Sequence, residues 1–203
     1  MWLVFDYDGV IADSHQCIFK AFNDLAGEMK IPIEDRVDFN YWREKGSLMA
    51  LKEMKISIFD LPSISRRMSE VQKRYIHEVK FYKDIDKTLK KIKESGINIG
   101  ILTSNDLENV ENNLKKNNLE IFDFIRTGAK YFGKAQRIKR IKRKIGNFWY
   151  VGDELRDVEA CKKAGVPIIA VSWGFNDKKL LKDADYVVDT PKEFLNLVLR
   201  LSQ

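Results

Sequence analysis

Two aspartates one residue apart, Asp6 and Asp8, followed at once by Gly9, are the first residues in this chain whose types and spacing point to chemistry. Carboxylates that close repel each other unless a cation or a shared proton relieves them, so burying the pair for stability alone makes poor physical sense. Asp153 and Asp157 form a second acidic couple, four residues or about one helical turn apart, with Glu154 beside them. Asp6, Asp8 and Asp153 together offer hard oxygen donors that suit Mg²⁺ better than a soft metal. Asp157 is spaced to orient a metal-bound water or a lysine. Thr103, Ser104 and Asn105 bring a different tool: a Thr103 hydroxyl with the Ser104 and Asn105 backbone amides entering a helix would make a nest for phosphate oxygens. A cation to balance these charges is available at Gly133-Lys134, with Lys130 as the alternative. Each feature also has a plainer reading. Asp-x-Asp occurs in surface loops, Asp153 and Asp157 suit a helix amino terminus, and Ser or Asn caps helices without binding anything.

The elements that must position these residues can be read from hydrophobic patterning. Leu3–Phe5 is a short apolar run of the kind that forms a buried parallel strand. Further strands are expected over residues 97–102, 124–127, 148–151, 166–171 and 186–188, alternating with helices over 85–95, 107–117, 134–144, 157–164 and 191–201. Such alternation implies an α/β fold, a Rossmann-like parallel sheet with helices on both faces. In such sheets ligands sit at the carboxyl ends of the strands. Asp6 and Asp8, Thr103 to Asn105, and Asp153 all fall there.

Residues 14–81 differ in character. Helical spacing recurs over 15–29, 39–42, 48–54 and 64–79, with breaks at Pro32, Gly46 and Pro62. We expect a core domain of residues 1–13 and 82–203 and an all-helical cap of residues 14–81 inserted after the first strand, with Ala12-Asp13-Ser14 as the hinge. Arg43 and Lys45 stand in this insert, where the plain reading is the end of a solvated helix. His15 and His77, the only histidines, read as structural.

The 203 residues are 44% hydrophobic and 33% charged, with a net charge of +6. That balance favours a small anionic partner. The basic run 134–144 keeps Ala135, Ile138 and Ile141 at helical spacing, so its cations form a solvated face and no nucleic-acid partner is expected. No apolar run nears the ~20 residues of a membrane span. Too few residues precede Asp6 for a signal peptide, and Cys17 and Cys161 have neither metal nor disulfide spacing. The expected setting is a reducing cytoplasm. Nothing in the sequence sets an oligomeric state.

The order Asp-x-Asp-Gly-Val, strand-Thr, Gly-Lys and Gly-Asp-x-x-x-Asp resembles the haloacid dehalogenase-like superfamily over nearly the whole chain. The position of the insert resembles the phosphoglycolate phosphatase-like subgroup with a helical cap after the first motif. The resemblance implies that Asp6 attacks phosphorus to give an aspartyl-phosphate and that Asp8 acts as general acid and base. Mg²⁺ is then held by Asp6, the Asp8 carbonyl and Asp153. Thr103 and Lys134 would bind the phosphoryl group, while Asp157 and Glu154 position the lysine or a water. Arg43 or Lys45 would contact the rest of the substrate. Dehalogenases of the superfamily lack the second aspartate, so Asp8 implies phosphoryl transfer. The expected activity is a Mg²⁺-dependent phosphatase on a small phosphate monoester. A phosphomutase and a non-catalytic binding protein remain open alternatives.

Overall fold

The apolar run at the start of the chain forms β1 (Trp2–Phe5), in which Leu3, Val4 and Phe5 are fully buried. Leu3 and Phe5 join one hydrophobic cluster with Ile99, Ile101, Val151, Ile169 and Phe194, whereas Val4 joins another with Leu102, Tyr150, Ile168 and Ala170. Alternate side chains of a strand point to opposite faces. A strand buried on both faces therefore has no polar alternation to show, which is why it reads as an uninterrupted apolar stretch. This computed structural model describes residues 1–29, 39–46, 49, 52–53, 61–128 and 133–203.

Five further strands join β1 in one sheet: β4 (Asn98–Leu102), β5 (Phe124–Arg126), β6 (Trp149–Gly152), β7 (Ile168–Val171) and β8 (Tyr186–Val188). The sheet runs β5-β4-β1-β6-β7-β8 and every pairing is parallel. The chain leaves β1 towards β4 and leaves β6 towards β7. The carboxyl ends of these two adjacent strands thus flank the crevice where strand order reverses, the usual ligand site of such sheets. Asp6 follows β1 directly and Asp153 follows β6.

Helices α4 (Ile85–Glu94), α5 (Leu107–Lys116), α6 (Lys134–Ile145), α7 (Leu155–Ala164) and α8 (Pro191–Leu201) complete the α/β core. The insert contributes α1 (His15–Met29), α2 (Phe39–Lys45) and α3 (Leu61–Gln72). α1 packs on α3, and Ala21, Phe22 and Leu25 of the one and Ile64 and Val71 of the other are buried. Trp42 of α2 sets its ring against Phe19 and Phe22, with centroids 5.6 and 5.2 Å apart.

The insert departs from expectation in three places. It is not wholly helical at its base: β2 (Ala12–Asp13) and β3 (Lys80–Phe81) form an antiparallel ribbon where the chain leaves and re-enters the core. Two-residue strands carry no readable period, so Ala12-Asp13 looked only like a hinge. The helix expected over 64–79 ends at Gln72 and is followed by turns and a 3-10 turn over Ile76–Glu78. Pro62 opens α3 instead of breaking a helix, because a first-turn residue has no intrahelical N–H partner to lose. Of the helix expected over 48–54, residues 49 and 52–53 are described and are helical, and the rest of it and the alternative cation Lys130 lie outside the described residues. Among the described residues, no helix is long and apolar enough to cross a membrane.

Candidate active site

Asp6 is anchored as the sheet ends: its amide donates to the Val151 carbonyl at 2.8 Å, and its Oδ1 accepts from the Tyr7 amide at 2.7 Å. Oδ2 accepts from Lys134 Nζ at 2.5 Å. Lys134 is the first residue of α6, so its stem reaches the crevice from the far side, and the same ammonium pairs with Asp157 Oδ1. Asp157 Oδ2 in turn accepts the Asp153 and Glu154 amides at 3.2 and 3.3 Å, capping α7. Capping and cluster membership are therefore one arrangement, and the capping reading of Asp157 holds beside the chemical one.

Asp153 is fully buried. Its Oδ2 accepts the Phe175 amide at 2.7 Å, while its Oδ1 has no hydrogen-bond partner. Two glycines make the slot in which this carboxylate lies. A Cβ at Gly9 (φ +76°) would fall 2.0 Å from Asp153 Oδ2, and one at Gly174 would fall 2.4 Å from the same oxygen and 2.5 Å from the Gly9 carbonyl. No side chain fits at either place without displacing Asp153.

Carboxylate oxygens of Asp6, Asp153 and Asp157 all lie within 4.8 Å of one another, and all three residues are buried. The Lys134 ammonium pairs with two of the three carboxylates, Asp6 and Asp157. Burial pushes the Asp6 carboxyl up to about 6 despite the pull of Lys134. Burial, then Glu154, Asp157 and Asp6, hold Asp153 well above the carboxylate range. Burial works against the Lys134 charge, yet Asp157 and Asp6 keep it well above the ordinary lysine value, so it stays protonated. Lone buried polar atoms are costly; an orphaned carboxylate oxygen in an anionic cluster of hard donors fits a divalent oxygen-seeking cation. Asp153 Oδ1 is the open donor of the cluster, since both oxygens of Asp6 and both of Asp157 already accept hydrogen bonds.

Asp8 faces a separate partner. Asn105 Nδ2 donates to Asp8 Oδ2 at 3.1 Å, and burial raises the Asp8 carboxyl while the Ser14 hydroxyl nearby and the Asn105 hydrogen bond lower it. The Asn105 amide plane has one orientation, because its Oδ1 accepts from the Asp106 amide at 2.8 Å and from Asn109 Nδ2 at 3.3 Å. The Asn105 backbone amide donates to Thr103 Oγ1 at 3.0 Å, and its side chain donates to Asp8. Thr103 is fully buried at the end of β4, and Ser104 is exposed. Glu154 pairs with Arg156 at the start of α7.

Arg43 and Lys45 are engaged elsewhere. Arg43 donates to the Ser172 carbonyl at 3.1 Å and lies over the Phe39 ring, and Lys45 pairs with Glu53 at 3.5 Å. His15 is stacked on Phe39 with centroids 4.4 Å apart and lies 2.8 Å from Asp13. The contacts of Asn105 to Asp8 and of Phe175 to Asp153 had no signal in the sequence, since both link segments more than 20 residues apart.

Comparison with known proteins agrees with this geometry. Residues 3–171 match the family model of the haloacid dehalogenase-like hydrolases. A phosphoglycolate phosphatase of Synechococcus elongatus is 27% identical over 209 residues, covering 98% of this chain and 97% of its own length. A pyrophosphatase of Bacillus mycoides is 22% identical over 219 residues, with 98% and 97% covered. The crystal structure of a predicted phosphatase from Clostridium acetobutylicum shares the fold with a TM-score of 0.80, 22% identity and 98% of each chain covered. The chain belongs to the haloacid dehalogenase-like hydrolases, as a phosphatase of the phosphoglycolate phosphatase-like type.

Proposed function

We propose that this phosphatase hydrolyses a small anionic phosphate monoester through an aspartyl-phosphate on Asp6, with Mg²⁺ held by Asp6, Asp153 and the Asp8 carbonyl. The single observation that carries the reading is the fully buried Asp153, whose Oδ1 lacks a partner within a cluster of three carboxylates and one ammonium. When bound, the cation offsets the repulsion between an anionic nucleophile and an anionic ester.

The chain's own groups do the rest. An Asp6 carboxylate oxygen attacks phosphorus, an Asp6–phosphorus bond forms and the ester phosphorus–oxygen bond breaks. Protonated Asp8 gives its proton to the departing alkoxide. Asp8 then takes a proton from the water that attacks the aspartyl-phosphate, and the Asp6–phosphorus bond breaks to release inorganic phosphate. Lys134, held by Asp6 and Asp157, and the Thr103 hydroxyl stabilise charge that spreads over the equatorial oxygens. Asp157 keeps Lys134 in place.

The helical insert, residues 14–81 on a core of 1–13 and 82–203, acts as the lid that excludes water from the first step. The relatives named for phosphoglycolate and for pyrophosphate agree in one respect only, a small phosphorylated anion, which also suits the net charge of +6. The two cysteines are free and buried, in keeping with a cytoplasmic setting. The test is a panel of small phosphate esters with Mg²⁺, scored for inorganic phosphate, with wild type beside Asp6→Asn. Phosphate release by the wild type alone is expected, with label from a radioactive ester trapped on Asp6. Label on another residue would reassign the nucleophile, and isomerised sugar phosphate without phosphate release would make the protein a mutase.

A further inference from the structure

The segment 172–177 between β7 and the 3-10 turn Lys178–Leu180 touches both halves of the molecule. On the core side it holds Asp153 at two points. The Phe175 amide donates to Asp153 Oδ2 at 2.7 Å and the Asn176 amide donates to the Asp153 carbonyl at 3.2 Å. Asn176 Oδ1 also accepts the Leu155 amide at 2.7 Å, and Trp173 Nε1 donates to the Val10 carbonyl at 3.1 Å. On the cap side the same six residues receive α2. The Asp177 amide donates to the Arg43 carbonyl at 2.9 Å, and Arg43 Nη2 donates to the Ser172 carbonyl at 3.1 Å. Phe39 of α2 stacks on His15, carries the Arg43 guanidinium over its ring and meets Phe175 edge-on at 6.4 Å.

From this arrangement we infer that Arg43 is a positioning residue: it docks cap helix α2 onto the segment that orients Asp153, so that cap docking and cation binding are coupled. The inference rests on the cation reading above and deepens it. The Arg43 side chain and the Arg43 carbonyl grip the two ends of one short segment, at Ser172 and Asp177, and between those ends sit the amides that fix both the Asp153 carboxylate and its carbonyl. Releasing α2 frees the segment, and the Asp153 oxygens lose the orientation that Gly9 and Gly174 leave room for. Coupling between two sites is reciprocal, so the cation tightens α2 by the same factor by which docked α2 tightens the cation. Arg43 thereby acts through Ser172 and Phe175 on Asp153, not by touching substrate.

The experiment titrates Mg²⁺ alone into metal-free full-length protein by calorimetry and follows hydrogen exchange over residues 39–46 with and without Mg²⁺. Arg43→Met keeps the apolar stem and removes the donor. A Mg²⁺ dissociation constant raised about fivefold or more is expected, at the low end of typical coupling, and Mg²⁺ should slow exchange over 39–46 in wild type but not in the variant. Arg67→Met, which breaks only the exposed pair with Glu28 at 3.1 Å, should leave both readings unchanged. Asp177 has φ −62°, which proline shares, so Asp177→Pro deletes the donor amide without strain at that angle. It should weaken Mg²⁺ as Arg43→Met does, while Asp177→Ala, which keeps the amide, should not. Wild-type affinity in both Arg43→Met and Asp177→Pro, or exchange over 39–46 that ignores Mg²⁺, overturns the coupling while leaving the cation site intact. A wild type that binds no Mg²⁺ overturns the cation reading itself and the coupling with it.

Discussion

Replacing Lys134 by methionine tests the electrostatics of the site most directly. The stem of Lys134 is buried and its ammonium lies 5.3 Å above the Tyr150 ring, so methionine retains most of the packing and removes only the charge. Asp6 and Asp157, both paired to that ammonium, are then left buried without it. Removing one partner of a buried ion pair costs about 3–5 kcal/mol. For a domain of this size each kcal/mol shifts Tm by about 2–4 °C, so metal-free Lys134→Met should melt about 6–20 °C below wild type at pH 7. The deficit should shrink towards pH 5, because the stranded Asp6 carboxyl, already raised by burial, takes up a proton and ceases to be charged. Added Mg²⁺ should recover more Tm in the variant than in wild type. The assay is thermal denaturation followed by circular dichroism with chelator, then with Mg²⁺. A variant within about 2 °C of wild type at pH 7 (less than one kcal/mol), or a deficit that does not change with pH, would refute the claim that Lys134 balances this cluster.

Three other outcomes follow from the same geometry. Gly174→Ala places a methyl 2.4 Å from Asp153 Oδ2 and 2.5 Å from the Gly9 carbonyl. Overpacking of this kind costs about 1–3 kcal/mol, and here it should also weaken Mg²⁺ binding, which calorimetry would read; unchanged affinity would mean the slot does not hold Asp153. Asn105→Ala removes the donor that orients Asp8. Turnover of alkyl phosphates should fall by about tenfold more than turnover of an aryl phosphate, whose leaving group needs no proton; equal losses would sever Asn105 from the acid. The third concerns pH. Asp6 sits at about 6 in the folded chain against 3.8 ordinarily, so its protonated form favours folding. That contribution, on the order of 3 kcal/mol, is fully present below about pH 4 and is lost as pH rises through about 6. Metal-free wild type should therefore lose Tm relative to Asp6→Asn between pH 4 and 7, and a constant difference would show that burial does not perturb Asp6.

The backbone plan was legible because it is local. Leu3–Phe5, the helical spacing of Ile138 and Ile141, and the strand-end positions of Asp6, Thr103 and Asp153 follow from the period of a strand or helix and from which faces are buried. Two carboxylates beside a glycine after an apolar strand carry their electrostatic problem in the sequence itself, before any fold is known. What tertiary structure alone decided is which group answers that problem and from where. Lys134 meets Asp6 across 128 residues, Asn105 meets Asp8 across 97, and Phe175 meets Asp153 across 22. Arg43, which by charge reads as a substrate contact, spends its guanidinium on the Ser172 carbonyl. The ribbon of Ala12-Asp13 with Lys80-Phe81 is too short to leave a pattern. These pairings depend on strand order in the sheet and on how the insert lies against the core, and no local period or propensity encodes either.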